Sequence, residues 1–201
     1  MKIQRGGGRI KFMQLGDVAY YPTNRVSVEI LTDNTYVSVE NLLKDKQGKC
    51  LSTCVPTEGN VIEYKTNDIL IGNIRPYLRK IWLANNNGGT NADVVLVRIL
   101  ESQTSILQPK FLYHILSDEK FFEYNNQYAK GAKMPRGDKS MILKYIIPIP
   151  PLDEQERIVA ILDKFDSLVN DISEGLPAEI NARKQQYEHY RNKLLTFDEA
   201  A

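Results

Sequence analysis

Pro150-Pro151-Leu152-Asp153-Glu154-Gln155-Glu156-Arg157-Ile158-Val159-Ala160-Ile161-Leu162-Asp163-Lys164-Phe165-Asp166-Ser167-Leu168-Val169-Asn170-Asp171-Ile172 is the stretch whose reading decides the fold. Ile158, Ile161, Leu162, Phe165, Leu168, Val169 and Ile172 recur at the three- and four-residue spacing of one helix face. Asp163, Lys164, Asp166 and Asn170 occupy the opposite face. The two prolines suit the approach to a first turn, and Asp153, Glu154 and Glu156 place negative charge where the helix dipole favours it. Gly175 and Pro177 stop this helix and begin another. The second stripe runs through Leu176, Ile180, Tyr187, Tyr190 or Arg191, and Leu194, close to a heptad spacing.

Two helices of about twenty residues span roughly 30 Å each. Stripes this narrow do not make a globular core and call for another helix. Two arrangements satisfy them: a hairpin that closes on its own domain, or a coiled-coil-like arm that pairs with another chain.

Working outward, residues 142–150 read as an extended exit stiffened by Pro148 and Pro150. The boundary between a first domain, residues 10–149, and the helical region, residues 150–197, falls there, with a tail at 198–201. Strands are expected at 34–40, 68–74, 80–84 and 93–99, from β-branched alternation or short apolar runs. Residues 85–91, with consecutive asparagines and glycines, read as a turn-rich loop. Pro109 fits the first turn of a helix with Phe111, Leu112, Ile115 and Leu116 on its stripe, and Ser117-Asp118-Glu119 suits the cap of a second helix through Phe121, Phe122 and Tyr128. The predicted class is α+β: a mixed, β-rich domain followed by a long helical arm. Residues 1–9, with three consecutive glycines, read as a flexible terminus.

At 201 residues, with 42% hydrophobic and 25% charged side chains, the chain has the composition of a soluble globular protein. No apolar run approaches the length of a membrane span, and residues 1–9 lack the apolar core of a signal peptide, so the expected location is the cytoplasm. The net charge of +1 hides an uneven distribution. Lys130, Lys133, Arg136, Lys139 and Lys144 face Asp138 alone, whereas the helical region opens with acidic residues. Cys50 and Cys54 have no further ligands at zinc spacing, so free thiols and no metal are expected.

Enzyme chemistry finds little footing. The Asn/Asp-Pro-Pro-Tyr/Phe motif of adenine methyltransferases is missing, since Pro150-Pro151 lies between Ile149 and Leu152. Gly6-Gly7-Gly8 precedes any strand and cannot serve as a cofactor loop, and no P-loop is present. No catalytic residue and no bound cofactor are expected. Two clusters suit binding instead. In the first, Asn73, Arg75, Tyr77, Arg79 and Lys80 flank Pro76, and arginine and asparagine are the side chains that read guanine and adenine edges or hold phosphates. In the second, Lys130, Lys133, Arg136 and Lys139 sit among small residues and glycines that let the backbone approach a nucleic acid.

The run from Pro150 to Asp163, together with Gly175-Leu176-Pro177-Ala178-Glu179-Ile180-Asn181-Ala182-Arg183-Lys184-Gln185-Gln186-Tyr187-Glu188-His189-Tyr190-Arg191-Asn192-Lys193-Leu194-Leu195, resembles the conserved helical region of type I restriction–modification specificity (S) subunits. Leu15-Gly16-Asp17-Val18, Asp68-Ile69-Leu70-Ile71-Gly72-Asn73-Ile74-Arg75-Pro76-Tyr77-Leu78 and Ile146-Ile147-Pro148-Ile149-Pro150 resemble a target-recognition domain of that family more loosely. Family members typically hold two recognition domains and two helical regions; this chain has one of each.

The resemblance implies a non-catalytic, half-length DNA-recognition subunit. Its expected partners are double-stranded DNA, a modification (methyltransferase) subunit and a restriction subunit. S-adenosylmethionine, ATP and magnesium are expected on those partners. A homodimer through Ile158, Ile161, Leu162, Phe165, Leu168, Ile172, Ile180, Tyr187 and Leu194 would read a bipartite site. Because the Ile-Arg-Pro-Tyr phrase recurs in members that read different sequences, a scaffold or phosphate role suits it better than base readout. The alternatives are a truncated piece of a longer S subunit and a recognition module of a single-chain restriction–methyltransferase.

Overall fold

The structure is a computed structural model and describes residues 10–171 and 177–197. Residues 1–9, Ile172 and the 198–201 tail lie outside the described residues, as do the side chains of Leu168 and Ile180. Ten strands and six helices are present among the described residues. In chain order they are β1 (Lys11–Gln14), α1 (Leu15–Val18), β2 (Ala19–Tyr20), β3 (Arg25–Ser27), β4 (Tyr36–Val37), β5 (Asn60–Tyr64), β6 (Ile69–Gly72), β7 (Ile81–Leu83), β8 (Gly88–Thr90), β9 (Val94–Ile99), α2 (Pro109–Leu116), α3 (Glu119–Gln127), α4 (Lys139–Leu143), β10 (Ile146–Ile149), α5 (Leu152–Asp171) and α6 (Pro177–Leu195). The class is α+β.

The central layer is an antiparallel sheet ordered β2-β9-β6-β7. Its strands are apolar on both faces because both are covered. Ile69, Ile71, Ile81, Val95 and Val97 point into a core shared with α1, α2, α3, α4 and α5. Leu70, Trp82, Val94 and Leu96 point the other way, against Val37 and Tyr64 of a second sheet. That sheet is ordered β3-β5-β8-β4 and is parallel only between β4 and β8. Residues 85–91, expected as a loop, therefore contribute a buried strand. Its glycines answer to crowding: a Cβ on Gly88 would lie 2.0 Å from the Thr35 carbonyl oxygen.

A third, two-stranded sheet pairs β1 with β10, Lys11 opposite Ile149. Asp118 caps α3 as expected, accepting from the Lys120 amide at 2.9 Å. Asp138 caps α4 in the same way and also takes the Lys130 ammonium at 2.6 Å. The Lys130 ammonium and the Ser140 hydroxyl hold the Asp138 carboxyl below the usual carboxylate range.

The helical region closes on its own domain. Gln155, wholly buried, anchors the start of α5: its amide donates to the Ile106 and Pro150 carbonyls at 2.7 and 2.8 Å, and its oxygen accepts from the Gln108 amide. Ile158 and Leu162 then enter the core beside α2. The chain returns along α6, where Tyr190 stacks on Phe165 with ring centroids 5.7 Å apart. Tyr187, Arg191 and Leu194 are buried as well. Arg191 donates to the Tyr187 hydroxyl at 3.0 Å and to the His114 carbonyl, and Lys46 meets Glu188 at 2.6 Å. Ile158, Leu162, Tyr187 and Leu194 are thus covered within this chain by itself. Of the residues expected to meet another chain, Ile161 and Phe165 keep exposed surface, as does the neighbouring Tyr190. No helix among the described residues is long and apolar enough to cross a membrane.

Candidate nucleic-acid interface

The two basic clusters, remote in sequence, are neighbours in space. Ile74 bridges to Arg136, and Arg136 bridges in turn to Lys130. The Arg75 amide donates to the Pro135 carbonyl at 2.7 Å, and the Gly137 amide to the Asn73 carbonyl at 3.1 Å. These backbone bonds lock residues 130–137 onto the turn that follows β6. Gly137 allows the contact, since a Cβ there would stand 2.4 Å from Asn125 Oδ1 and 2.9 Å from Asn73 Oδ1.

The turn itself is a single 3-10 unit, Pro76–Leu78, flanked by Arg75 at φ 52° and Arg79 at φ 51°. Left-handed backbone at a branched-out, non-glycine side chain is costly and is held only where surrounding contacts fix it. At Arg79 those contacts include the side chain, which binds Asp45 and takes both oxygens of Glu119 at 3.0 and 3.1 Å. Burial pushes the Glu119 carboxyl up, but Lys46 and Arg79 together bring it below its ordinary value. At Arg75 the backbone is held by the Pro135 carbonyl, which its amide meets, and by the Leu78 amide, which its carbonyl accepts, while the side chain is exposed.

The nine residues expected to touch DNA fall into three groups. Asn73, Arg79 and Lys80 are built into the fold. Asn73 is buried, Arg79 holds the network just described, and Lys80 donates to the Val39 carbonyl at 2.6 Å. Lys130 and Arg136 are exposed but ion-paired, to Asp138 and to Asp93 at 3.2 Å. Arg75, Tyr77, Lys133 and Lys139 are exposed, and among the described residues no side-chain hydrogen bond or ion pair occupies them. Met134, 47% exposed between Lys133 and Pro135, and Asp93, which orients Arg136, are not marked by the sequence, which names Asp138 only as the lone acid among the cations and not as the cap of α4.

The resulting surface carries Arg75, Lys130, Lys133, Arg136 and Lys139 against Asp93 and Asp138, with Tyr77 and Met134 as apolar members. Cations on a pinned backbone can neutralise phosphates, and an exposed arginine and tyrosine at the turn can reach a groove or stack. Cys50 and Cys54 are exposed free thiols.

The chain is similar to several known proteins. The specificity subunit of the type I restriction enzyme EcoR124I/EcoR124II of Escherichia coli is 41% identical over 88 residues, covering 44% of this chain and 22% of that one. The HsdS subunit of Thermoanaerobacter tengcongensis shares the fold over 86% of this chain and 45% of its own, at a TM-score of 0.60 and 22% identity. The type I restriction–modification S subunit of M. genitalium does so over 87% and 43%, at a TM-score of 0.58 and 16% identity. The chain therefore spans less than half the length of each of these relatives. Residues 9–182, through all three sheets, the pinned basic turn and the start of α6, match the Type I restriction modification DNA specificity domain, and the chain belongs to that family.

Proposed function

We propose that this chain recognises double-stranded DNA for a type I restriction–modification complex, and that the surface built from residues 73–79 and 130–139 is where it does so. The observation that carries this is the locking of two distant basic segments into one exposed patch by the Ile74–Arg136 bridge and the Arg75–Pro135 and Asn73–Gly137 hydrogen bonds. The role is to supply an address. The methyltransferase and restriction subunits that it guides would carry S-adenosylmethionine, ATP and magnesium.

Binding to a random-sequence duplex, followed by anisotropy across salt concentrations, tests the patch. If three to five cations contact phosphates, the log–log salt slope is about −3 to −5. Arg75→Ala and Lys133→Ala are each expected to weaken binding several-fold, and the lysine change to flatten the slope by about 1. Salt-independent binding, or binding indifferent to both substitutions, refutes the assignment.

The stoichiometry is part of the same proposal. A chain with one recognition unit completes a bipartite reader by pairing with a second copy, and Ile161, Phe165 and Tyr190 leave apolar surface on the helical region for that contact. A two-fold pair would read an inverted-repeat target. Light scattering at several concentrations should give about twice 23.0 kDa. A mass that stays at one chain up to high concentration would favour the alternative, a piece of a longer specificity subunit.

A further inference from the structure

We propose that His114, Asp163 and Asp166 form a binding site for a divalent transition-metal cation where α2 meets α5. Asp163 and Asp166 lie three residues apart and so share one face of α5. His114 comes from the last turn of α2. One ligand atom from each of the three lies within 4.8 Å of the others. The acidic pair alone would carry no such meaning; the histidine does. It is 1% exposed, yet neither Nδ1 nor Nε2 has a hydrogen-bond partner. Its Nε2 points at Asp163 Oδ1 from 3.5 Å, too far for a well-formed hydrogen bond. A buried imidazole aimed at two carboxylates and bonded to nothing is an arrangement that a cation would complete.

The protonation states suit a ligand set. Burial, and then the Arg191 guanidinium, push the His114 imidazole down to about 4, so its lone pair is free at neutral pH. Burial raises the Asp166 carboxyl, and a cation would offset that cost of keeping it ionised. Three neighbouring cations oppose the site, and all are already engaged, Lys46 by Glu119 and Glu188. Lys110 holds Asp163 through Oδ2 at 2.7 Å and leaves Oδ1 toward the histidine. Arg191 is committed to the Tyr187 hydroxyl and the His114 carbonyl, with Asp118 at 4.0 Å as its counterion. Their charge, and the Tyr187 hydroxyl that hydrogen-bonds Asp166, select against tight binding, but Asp163 Oδ1 and His114 Nε2 still face each other across the site. One imidazole and two carboxylates suit zinc, cobalt or manganese better than soft copper(I), and metal–ligand bonds of about 2.0–2.2 Å require the cluster to contract by roughly 1 Å. Bound metal would pin α5 to α2.

Cobalt(II) is the probe, added to the full chain carrying Cys50→Ser and Cys54→Ser so that no thiolate competes. The expected result is a visible absorption band that saturates near one equivalent and is displaced by zinc. The band should vanish in His114→Gln and fall at least tenfold in apparent affinity in Asp166→Asn. Zinc should raise the melting temperature of the parent by a few degrees and leave that of His114→Gln unmoved. No band from the folded parent chain overturns the proposal, as does a band that survives both substitutions. If His114→Gln fails to fold by circular dichroism, the half-buried Asp166→Asn decides by itself.

Discussion

Gly137→Ala is expected to weaken DNA binding about tenfold or more while leaving the rest of the chain folded. The position has ordinary backbone dihedrals, so the effect comes from space alone. The added methyl would sit 2.4 Å from Asn125 Oδ1 and 2.9 Å from Asn73 Oδ1, both buried side chains under the basic loop. Overpacking of this kind costs about 1–3 kcal/mol, or roughly 2–10 °C in melting temperature for a domain of this size. The relief available to the chain is to lift residues 130–137. That breaks the Gly137–Asn73 and Arg75–Pro135 hydrogen bonds and separates the two halves of the patch. Anisotropy with the same random-sequence duplex reads the loss. Adding Asn125→Ala removes the nearer obstruction and should recover part of the affinity. Wild-type affinity in Gly137→Ala would show that the junction does not organise the surface.

Asp68→Ala carries the largest stability change. Asp68 is 2% exposed and takes Arg98 through two hydrogen bonds, 2.8 and 2.7 Å, while also accepting from the Lys65 amide at 2.7 Å. The pair links the start of β6 to β9 in the middle of the central sheet. Hydrogen bonding to Asp68 is the main reason the Arg98 guanidinium is raised above its ordinary value. Removing one partner of a buried pair leaves the other charge uncompensated, at about 3–5 kcal/mol. The lower part of that range applies, because the Arg98 side chain keeps 17% of its exposure. Urea denaturation should show a lower midpoint at an unchanged slope. The double variant Asp68→Ala/Arg98→Met, which removes both charges, should lose less than Asp68→Ala alone. Equal stability of the single variant and the wild type would mean the pair contributes nothing net.

Much of the frame was legible because it repeats locally. The apolar runs of β6, β7 and β9, the three-four periodicity of α2, α3 and α5 and the heptad-like spacing of Ile180, Tyr187 and Leu194 in α6 are written residue by residue. What escaped was decided by partners far along the chain. Residues 88–90 look like a turn, yet they pair with β4 and β5, and Thr35 and Tyr64 at Gly88 and Val61, Leu31 and Val26 at Gly89 leave no room for a side chain. The same limit holds at the surface. Arg75 and Arg79 flank one proline and look alike in sequence; Asp45 and Glu119 bind one of them into the fold, and the other is left outside. Nor does any local pattern announce that Ile74 and Arg136 are neighbours. The helical stripe was plain, but a stripe states only that it needs a cover. Here α2 and the central sheet's core cover Ile158 and Leu162, so the covering surface comes from the chain itself over that part of α5.

The pairing of β1 with β10 has a consequence for how such a chain can change. Lys11 stands opposite Ile149, so the segment between them begins and ends within one strand spacing, roughly 5 Å. Everything that shapes the proposed DNA-binding surface lies inside that closed loop, and α5 starts only three residues after it, at Leu152. A different sequence spliced in between those two points would inherit the same pair of attachment sites and the same take-off for the helices. The geometry makes residues 11–149 behave as a cartridge: a new binding preference can be clipped in on the same attachment points so long as the insert keeps the α2 core face and the contacts at Ile106, Gln108, His114 and Lys46 that seat the helices.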